Sequence, residues 1–525
     1  MEAHVGFAIG ALACVLLVRP IASRSGVPAA VLLVVIGVIY GELPGRNITL
    51  QPDVVFTLIL PPLLYSAALQ ASLLEIRANL RSVAWLSVGL PLVTALAIGG
   101  VLSAAVPGLP FALALAVGAA VAPPDPIAAL SIGRRVGLSA RLTTLIEGEG
   151  LLNDATALTT YQVAIAAAVG GGFSAGHAIG KFALDAVGGF VIGFAIAVLV
   201  REMRRRVHDP LVDNGISIGV PFACFIAADA AHTSGVLAVV VAGLTLGHSS
   251  SEISSGPARL QSRAVWGFVD FLLEGFIFLL IGQQLPRVVS RLDAYDAATL
   301  AAAAGAAVGL TLAIRPLWLL GYKLVPAALK GSAEALRIKE IVALSWVGTR
   351  GVISLAAAFS LPLTAHGSPL PKRDLLLFCA YTVVLVTLVG QGLTLGPLLR
   401  WLRLPSYGPE RQLRLAEARL AAAQAGAERV EELILEEDVP PVIADRARAS
   451  ARAAIEHYTR RRGDLNLTDL GAAESVISLL ARLRRLRIEA AREELVRWRD
   501  AGRLSDRNLR LLDRELDLEE GPGPM

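Results

Sequence analysis

Sulfur-containing residues are scarce in this chain, whose 525 residues include only three cysteines and three methionines. Cys14, Cys224 and Cys379 all lie in apolar runs and share no spacing typical of metal ligands, so we expect them to be packing residues. The sequence also lacks a phosphate-binding loop and a zinc motif such as H-E-x-x-H. These absences argue against a disulfide framework and the common cofactor sites, and they predict a protein that is not an enzyme and has no cofactor.

Charged residues are also few, and they are unevenly distributed. They make up 18% of the chain, and about half of them lie after residue 402, where lysine is absent. Hydrophobic residues make up 54% of the whole sequence and dominate its first 400 positions. The net charge of +4 requires no nucleic-acid partner. This division predicts a transmembrane domain over 1–400 and a soluble, helical C-terminal domain over 401–525.

Long apolar runs fill the first domain, and each is close to the length that crosses a bilayer core of roughly 30 Å. We place about thirteen of them, at 4–20, 27–41, 54–71, 82–105, 111–132, 141–169, 177–200, 214–230, 234–248, 264–285, 298–322, 338–361 and 375–399. The first run has no basic leader and is interpreted as a retained span rather than a signal peptide. The pattern predicts an all-α polytopic membrane protein that contacts the lipid bilayer.

Lysine and arginine in the first domain concentrate in alternate loops between the predicted spans. Because basic residues are retained on the cytoplasmic side of a membrane, their distribution predicts the orientation of the chain. With thirteen spans, the N-terminus is expected outside and the C-terminal domain in the cytoplasm.

Two predicted spans are interrupted in the same way. The interruptions are Pro123, Pro124, Asp125 and Pro126 in the fifth span and Gly348, Thr349, Arg350 and Gly351 in the twelfth. Proline lacks an N–H and frees the carbonyl four residues earlier, which must find another partner inside a membrane. If spans 1–6 and 8–13 are inverted repeats joined by span 7, the interruptions correspond, and crossed broken helices are expected near a midplane transport site. Asp125 is expected to cap the following half-helix rather than to bind an ion.

The sixth span carries three acids in an otherwise apolar stretch: Glu147, Glu149 and Asp154. A charged side chain at the centre of a bilayer costs about 2.5–3.5 kcal/mol on insertion scales, so the cluster indicates an ion or proton site. Glu149 and Asn153 are four residues apart and share one helix face, whereas Asp154 points about 140° away from Glu149. This geometry permits one structural carboxylate that pairs with an arginine and a second carboxylate that exchanges a proton for a cation.

Asp154 is the predicted exchanging group. A low-dielectric site disfavours its ionised form, which brings proton release toward the physiological range, and the ionised oxygens suit a small alkali cation. Glu149 is the predicted structural acid, and Arg350 and Arg315 are its candidate partners because an arginine in lipid also needs one. Asp270 and Glu274, four residues apart in the tenth span, are expected to line an outer vestibule or to cap polar contacts, with a structural role preferred.

Four stretches carry a resemblance to a known family. They are Phe56-Thr-Leu-Ile-Leu-Pro-Pro-Leu-Leu-Tyr65, Ala122-Pro-Pro-Asp-Pro-Ile-Ala128, Glu149-Gly-Leu-Leu-Asn-Asp154 and Gly348-Thr-Arg-Gly-Val-Ile-Ser354. With them, the first 400 residues resemble the monovalent cation:proton antiporter-1 family, in its bacterial Na⁺/H⁺ exchanger (NhaP-like) branch. The resemblance implies a homodimer of thirteen-span protomers in the bacterial inner (plasma) membrane, each with a six-helix core that moves as an elevator.

The resemblance also implies roles for individual residues. Asp154 would bind the cation, Na⁺ or alternatively Li⁺ or K⁺, in competition with H⁺. Asn153 beside it would mark electroneutral exchange, and Glu149 would pair with an arginine, for which Arg350 is the first choice and Arg315 the second. The rival interpretation from another class, a cation channel or membrane sensor, is less favoured because a channel needs a continuous pore with a ring or filter.

Two positions depart from the family pattern. Pro124 stands where many relatives have a threonine that serves the ion, and Ser66 stands where some relatives carry an acid after the double proline of the third span. The set of ion ligands, and with it the preference between Na⁺ and K⁺, is therefore left open by the sequence.

Overall fold

A computed structural model describes residues 2–25, 27–43, 52–126, 138–171, 175–207, 209–324, 337–365, 368–403, 408–437, 439–466 and 487–498, with the single residues 130, 133, 501, 512 and 516. The chain divides into two compact units, Met1–Pro405 and Ser406–Met525. The segment that follows Pro126 in the fifth predicted span, where Asp125 was expected to cap a half-helix, lies largely outside the described residues.

The first unit consists almost entirely of helices. In chain order they are α1 Glu2–Ser25, α2 Ala29–Gly41, α3 Pro52–Gln70, α4 Leu73–Ala78, α5 Leu80–Ala105, α6 Phe111–Val121, α7 Ala140–Ala166, α8 Ala175–Arg205, α9 Pro210–Ala230, α10 Gly235–His248, α11 Ser250–Ile253, α12 Gly256–Val289, α13 Ala297–Leu324, α14 Ile338–Trp346, α15 Val352–Phe359 and α16 Arg373–Leu402. Between α15 and α16, β1 (Thr364–Ala365) and β2 (Ser368–Pro369) form a short antiparallel hairpin. Helices dominate because the bilayer core offers no water, so the backbone N–H and C=O groups of a spanning segment must form hydrogen bonds with each other.

Seven of the described helices are long and apolar enough to cross a membrane, and three more are apolar but shorter. The long ones are α3, α5, α8, α9, α12, α13 and α16, and the shorter ones are α2, α6 and α10. The coarse prediction of an all-α polytopic membrane protein is therefore confirmed. The count of thirteen spans and the inverted repeats stay predictions.

Side-chain caps set the start of several of these helices. Ser139 accepts a hydrogen bond from the backbone N–H of Leu142 and begins α7, and Ser255 accepts one from Ala258 and begins α12. A serine at this position satisfies one of the backbone donors that a helix N-terminus leaves unpaired. The caps thus fix the start of the two helices that carry the acids discussed below.

Close backbone contact fixes α12 against α2. A Cβ built on Gly37 of α2 would lie 2.2 Å from the carbonyl oxygen of Leu279, and one built on Gly282 of α12 would lie 2.0 Å from that of Val34. Any side chain larger than hydrogen would separate the two helices, as expected for small residues at membrane helix interfaces. In contrast, α6 is enclosed by its neighbours, since every residue from Leu113 to Val121 is buried.

The second unit contains two long helices, α17 Gly408–Glu436 and α18 Pro441–Asn466. Arg448 of α18 donates hydrogen bonds to both carboxylate oxygens of Glu431 of α17, at 2.8–3.1 Å. These bonds lower the pKa of Glu431. Because the pair is exposed, it adds little stability, and it mainly indicates a helical hairpin with a solvated surface.

Candidate functional site

Two helix breaks meet inside the first unit. The helix α6 ends at Val121, the chain is not helical from Ala122 to Asp125, and a second non-helical stretch separates α14 from α15. The backbone N–H of Asp125 donates to the carbonyl oxygen of Thr349 at 2.6 Å. The Thr349 hydroxyl donates in return to the carbonyl oxygen of Asp125 at 3.1 Å. The structure therefore brings together the two interruptions that the sequence placed in separate spans.

Arg350 satisfies the carbonyls that the first break leaves open. Its guanidinium donates to the carbonyl oxygens of Val121 at 2.9 Å and Ala122 at 3.0 Å, and also to that of Gly348. The N–H of Asp125 is directed to Thr349 and Pro126 has none, so neither can close a helical bond to these carbonyls. Arg350 is only 3% exposed, and its donors are occupied by the backbone.

The predicted pairing of Glu149 with Arg350 is therefore wrong, and the second choice, Arg315, is the partner. The Arg315 guanidinium makes a two-pronged contact with the Glu149 carboxylate, with one N–H···O distance of 2.8 Å and a shorter second one. Its Nε donates to the carbonyl oxygen of Leu344 at 2.7 Å. Both side chains are at most 3% exposed, so the pair forms a neutral, fully bonded unit next to the crossing.

Asn153 links helix α7 to the first break. Its side-chain amide donates to the carbonyl oxygen of Pro124 at 3.0 Å, and its own amide oxygen is buried with no hydrogen-bond partner in the described part of the chain. The nitrogen thus anchors the break. The oxygen is left as an acceptor that a cation or a water can use.

Asp154 lines a cavity of about 270 Å³ beside the crossing and is 5% exposed. Within the described residues, its carboxylate has no hydrogen bond and no ion pair. Nearby, the Ser354 side chain is 1% exposed and also lines the cavity. A carboxylate and a hydroxyl that face a small cavity are hard oxygen ligands of the kind that alkali cations and protons use.

Gly351 allows the two breaks to approach each other at this point. A Cβ built on Gly351 would lie 2.2 Å from a carboxylate oxygen of Asp125. Such a distance does not occur between real atoms, so any other residue would displace Asp125 or the second break. The absence of a side chain at position 351 is thus a geometric requirement of the crossing.

Two acids that sequence reasoning ranked low, Asp270 and Glu274, line the same cavity as Asp154. Their spacing in an apolar span was the signal, since residues four apart share one helix face. The sequence alone could not show that this face of α12 lies against α3 and the first break. Among the described residues, no group of three or more His, Cys, Asp or Glu side chains converges as a closed metal site.

Comparison with known proteins gives a family match over most of the first unit. The family model described as "Sodium/hydrogen exchanger, transmembrane" matches residues 10–401. An uncharacterised Na⁺/H⁺ exchanger of Mycobacterium tuberculosis is 31% identical over 533 aligned residues, which cover 98% of this chain and 95% of that protein. A Bacillus pumilus protein named as a sodium, potassium, lithium and rubidium/H⁺ antiporter is 31% identical over 377 aligned residues. The alignment covers 69% of this chain and 56% of that protein.

A solved structure shares the fold. The sodium proton antiporter MjNhaP1 of Methanocaldococcus jannaschii, determined at pH 8, aligns with a TM-score of 0.61 and 20% identity. The alignment covers 77% of this chain and 99% of that one. At this identity the likeness concerns the arrangement of helices, and it agrees with the match of the family model to residues 10–401.

Proposed function

This chain belongs to the sodium/hydrogen exchanger family, and we propose that it is a secondary active antiporter that exchanges Na⁺ for H⁺ at Asp154. The observation that carries the proposal is the contrast between acids. Glu149, Asp185 and Asp213 are buried and each contacts a basic side chain, whereas buried Asp154 faces a cavity with no such contact in the described chain. An ionised carboxylate in a low-dielectric site needs a countercharge, and a mobile cation or a proton can supply it.

Competition for one carboxylate gives exchange. When Asp154 is protonated it has no net charge and no strong affinity for a cation, and when it is ionised its oxygens can hold Na⁺. The Asn153 amide oxygen and the Ser354 hydroxyl are further ligand candidates, because the first lacks a partner and the second lines the cavity. On each side of the membrane, Asp154 then binds whichever ion, Na⁺ or H⁺, is favoured by the concentrations on that side.

The surroundings of Asp154 support an electroneutral cycle. Glu149 and Arg315 form a paired unit that keeps its charges balanced, and Asn153 is neutral at every pH. Asp154 alone then exchanges a proton for a cation, and it crosses the membrane with one proton or one monovalent cation bound. We further propose an elevator-type movement in a homodimer, in the bacterial inner membrane, with the N-terminus outside and the C-terminal unit in the cytoplasm.

The choice of cation has a second candidate. The Bacillus pumilus relative is named for transport of sodium, potassium, lithium and rubidium, so K⁺/H⁺ exchange and a broad range of alkali cations are alternatives for this chain. The proline at position 124 removes one side-chain hydroxyl from the family's pattern. Fewer fixed ligands would impose weaker size selection on the ion.

The test is cation-driven proton flux in liposomes that contain the purified full-length chain. Asp154→Asn keeps the shape of the side chain and removes the exchanging carboxylate, so we expect it to fold and to abolish flux driven by Na⁺, Li⁺ or K⁺. Asp229→Asn is the matched control, because Asp229 is exposed near the end of α9 and does not line the cavity. Flux in Asp154→Asn comparable with that of the control would refute the proposed site.

A further inference from the structure

Several carboxylates line the cavity that Asp154 faces. Asp270 and Glu274 line it from α12, and Asp125 lines it from the first break. Asp270 accepts a hydrogen bond from the Ser66 hydroxyl at 2.5 Å, and Gln70, which is exposed and lines the cavity, donates to the same hydroxyl at 3.3 Å. Asp270 therefore lies near an exposed part of the cavity wall, and Glu274 follows it by four residues on the same face of α12.

Asp270 and Glu274 have no basic counterpart in the described lining of the cavity. In the described part of the chain, no Lys, Arg or His lines it, and neither Asp270 nor Glu274 forms an ion pair. One carboxylate oxygen of Asp270 is buried without a hydrogen-bond partner. Burial of a charge without a partner is costly, so Asp270 and Glu274, when ionised, need a mobile positive charge from outside the described lining.

Two further observations at the same cavity point to a ligand rather than to a chance cluster of acids. Asp154, 5% exposed and without a partner in the described residues, faces the cavity from α7. Ser354, 1% exposed, lines it from α15, and its hydroxyl makes no hydrogen bond in the same set of residues. A cavity of about 270 Å³ also has room for an ion with several waters, because a water occupies about 30 Å³ of liquid.

We propose that Asp270 and Glu274 form a second binding position for the monovalent cation, between the exposed part of the cavity and Asp154. The position holds a partly hydrated ion with the two carboxylates as ligands. The proposal rests on the function proposed above and adds a site on α12 to it. It also gives Ser66 a role, since its hydroxyl donates to Asp270 and orients that carboxylate.

Binding of Na⁺ to the purified full-length chain tests the proposal directly. We expect ²²Na⁺ to bind at two classes of site in the wild type and at one class in Asp154→Asn. The combined variant Asp270→Asn with Glu274→Gln should keep only the class that requires Asp154, and all three substitutions together should abolish saturable binding. If Asp154→Asn alone removes all saturable binding, the second position does not exist.

Transport gives an independent readout. The pair of neutral substitutions should raise the KM for Na⁺ by about fivefold or more, with a smaller effect on the maximal rate, because the ion is less often available to Asp154. The matched control is Glu252→Gln, which removes an exposed carboxylate outside the cavity. An unchanged KM in the paired variant overturns the second position and leaves the proposed function intact, whereas transport by Asp154→Asn overturns the proposed function.

A variant that preserves charge separates binding from general attraction of cations. Asp270→Glu together with Glu274→Asp keeps both negative charges and moves both carboxylates by about one methylene. A binding position depends on the placement of its ligands, so the KM should rise. If attraction by the local field were the whole effect, the KM would stay at the wild-type value, and this result would contradict the proposal.

Discussion

Glu149 and Asp154 lie five residues apart on α7, and the neighbouring helices give them different partners. Arg315 of α13 reaches Glu149 with two N–H groups, and Leu344 accepts its third contact. Arg350 does not reach either acid, because the carbonyls of the first break occupy it. One acid is therefore paired with a fixed cation, and the other faces the cavity without such a partner in the described residues.

The sequence predicts that the two acids meet different surroundings, but it does not identify the partner of Glu149. Spacing on an ideal helix already places Glu149 and Asp154 in different directions. The choice between Arg315 and Arg350 depends on which acceptors each guanidinium meets in the fold. Those acceptors are the carbonyls of Ala122, which Pro126 cannot reach with an N–H, and of Val121, which becomes available because Asp125 bonds to Thr349 instead.

Replacement of Glu149 tests the assignment of its partner. Glu149→Gln leaves the Arg315 charge buried without its counterpart, which should lower the free energy of unfolding by about 3–5 kcal/mol. Adding Arg315→Met should recover part of that loss, as measured by thermal unfolding in detergent. Arg350→Met in the same background should lower stability further, because it removes the donors to the first break. Recovery with Arg350→Met and none with Arg315→Met would reverse the pairing seen in the structure.

The crossing of the two breaks is the element that places these residues. Prolines and glycines within apolar runs made both breaks predictable, since each removes a helical bond or a side chain from a span. Their mutual contact rests on features that a single sequence does not display, namely the Asp125–Thr349 hydrogen bonds and the space left by Gly351. The same holds for the side of α12 that faces the cavity. The sequence places its two acids on one helix face, but only the fold shows that they line the same cavity as Asp125.

Gly351→Ala tests whether the crossing must be this tight. The added methyl group would collide with the Asp125 carboxylate and displace a segment that contacts Asn153 through Pro124. A shift of about 1 Å at a reacting centre can cost roughly a hundredfold, and we expect Na⁺-driven flux to fall by about tenfold or more. Gly309→Ala is the control, since a Cβ at Gly309 in α13 meets nothing within 4 Å. Equal flux in the two variants would show that the crossing tolerates the displacement.

At the scale of the whole molecule, charge balance connects the site to the membrane. Buried ion pairs such as Arg204–Asp213 and Glu149–Arg315 add no net charge to the first unit. Asp154, Asp270 and Glu274 line the cavity and form no ion pair in the described part of the chain, and in the proposed cycle they hold the mobile ions. If Asp270 and Glu274 remain behind while Asp154 crosses, their bound ion does not travel with each cycle, and the stoichiometry is set by Asp154.

This arrangement predicts transport that is insensitive to membrane potential. Asp154 crosses with either one proton or one Na⁺, and the two loaded forms have the same net charge. Movement of one uncompensated charge across 100 mV is worth about 2.3 kcal/mol, so even a single extra charge in the cycle would be evident. The measurement is Na⁺-driven proton flux in proteoliposomes clamped at several potentials with K⁺ and valinomycin, after flux assays establish that K⁺ is not itself a substrate. We expect the same rate and the same reversal point at every potential. A reversal point that moves with voltage would show that a second charge crosses, and the Glu274→Gln variant would then be measured first, because Glu274 lines the same cavity as Asp154.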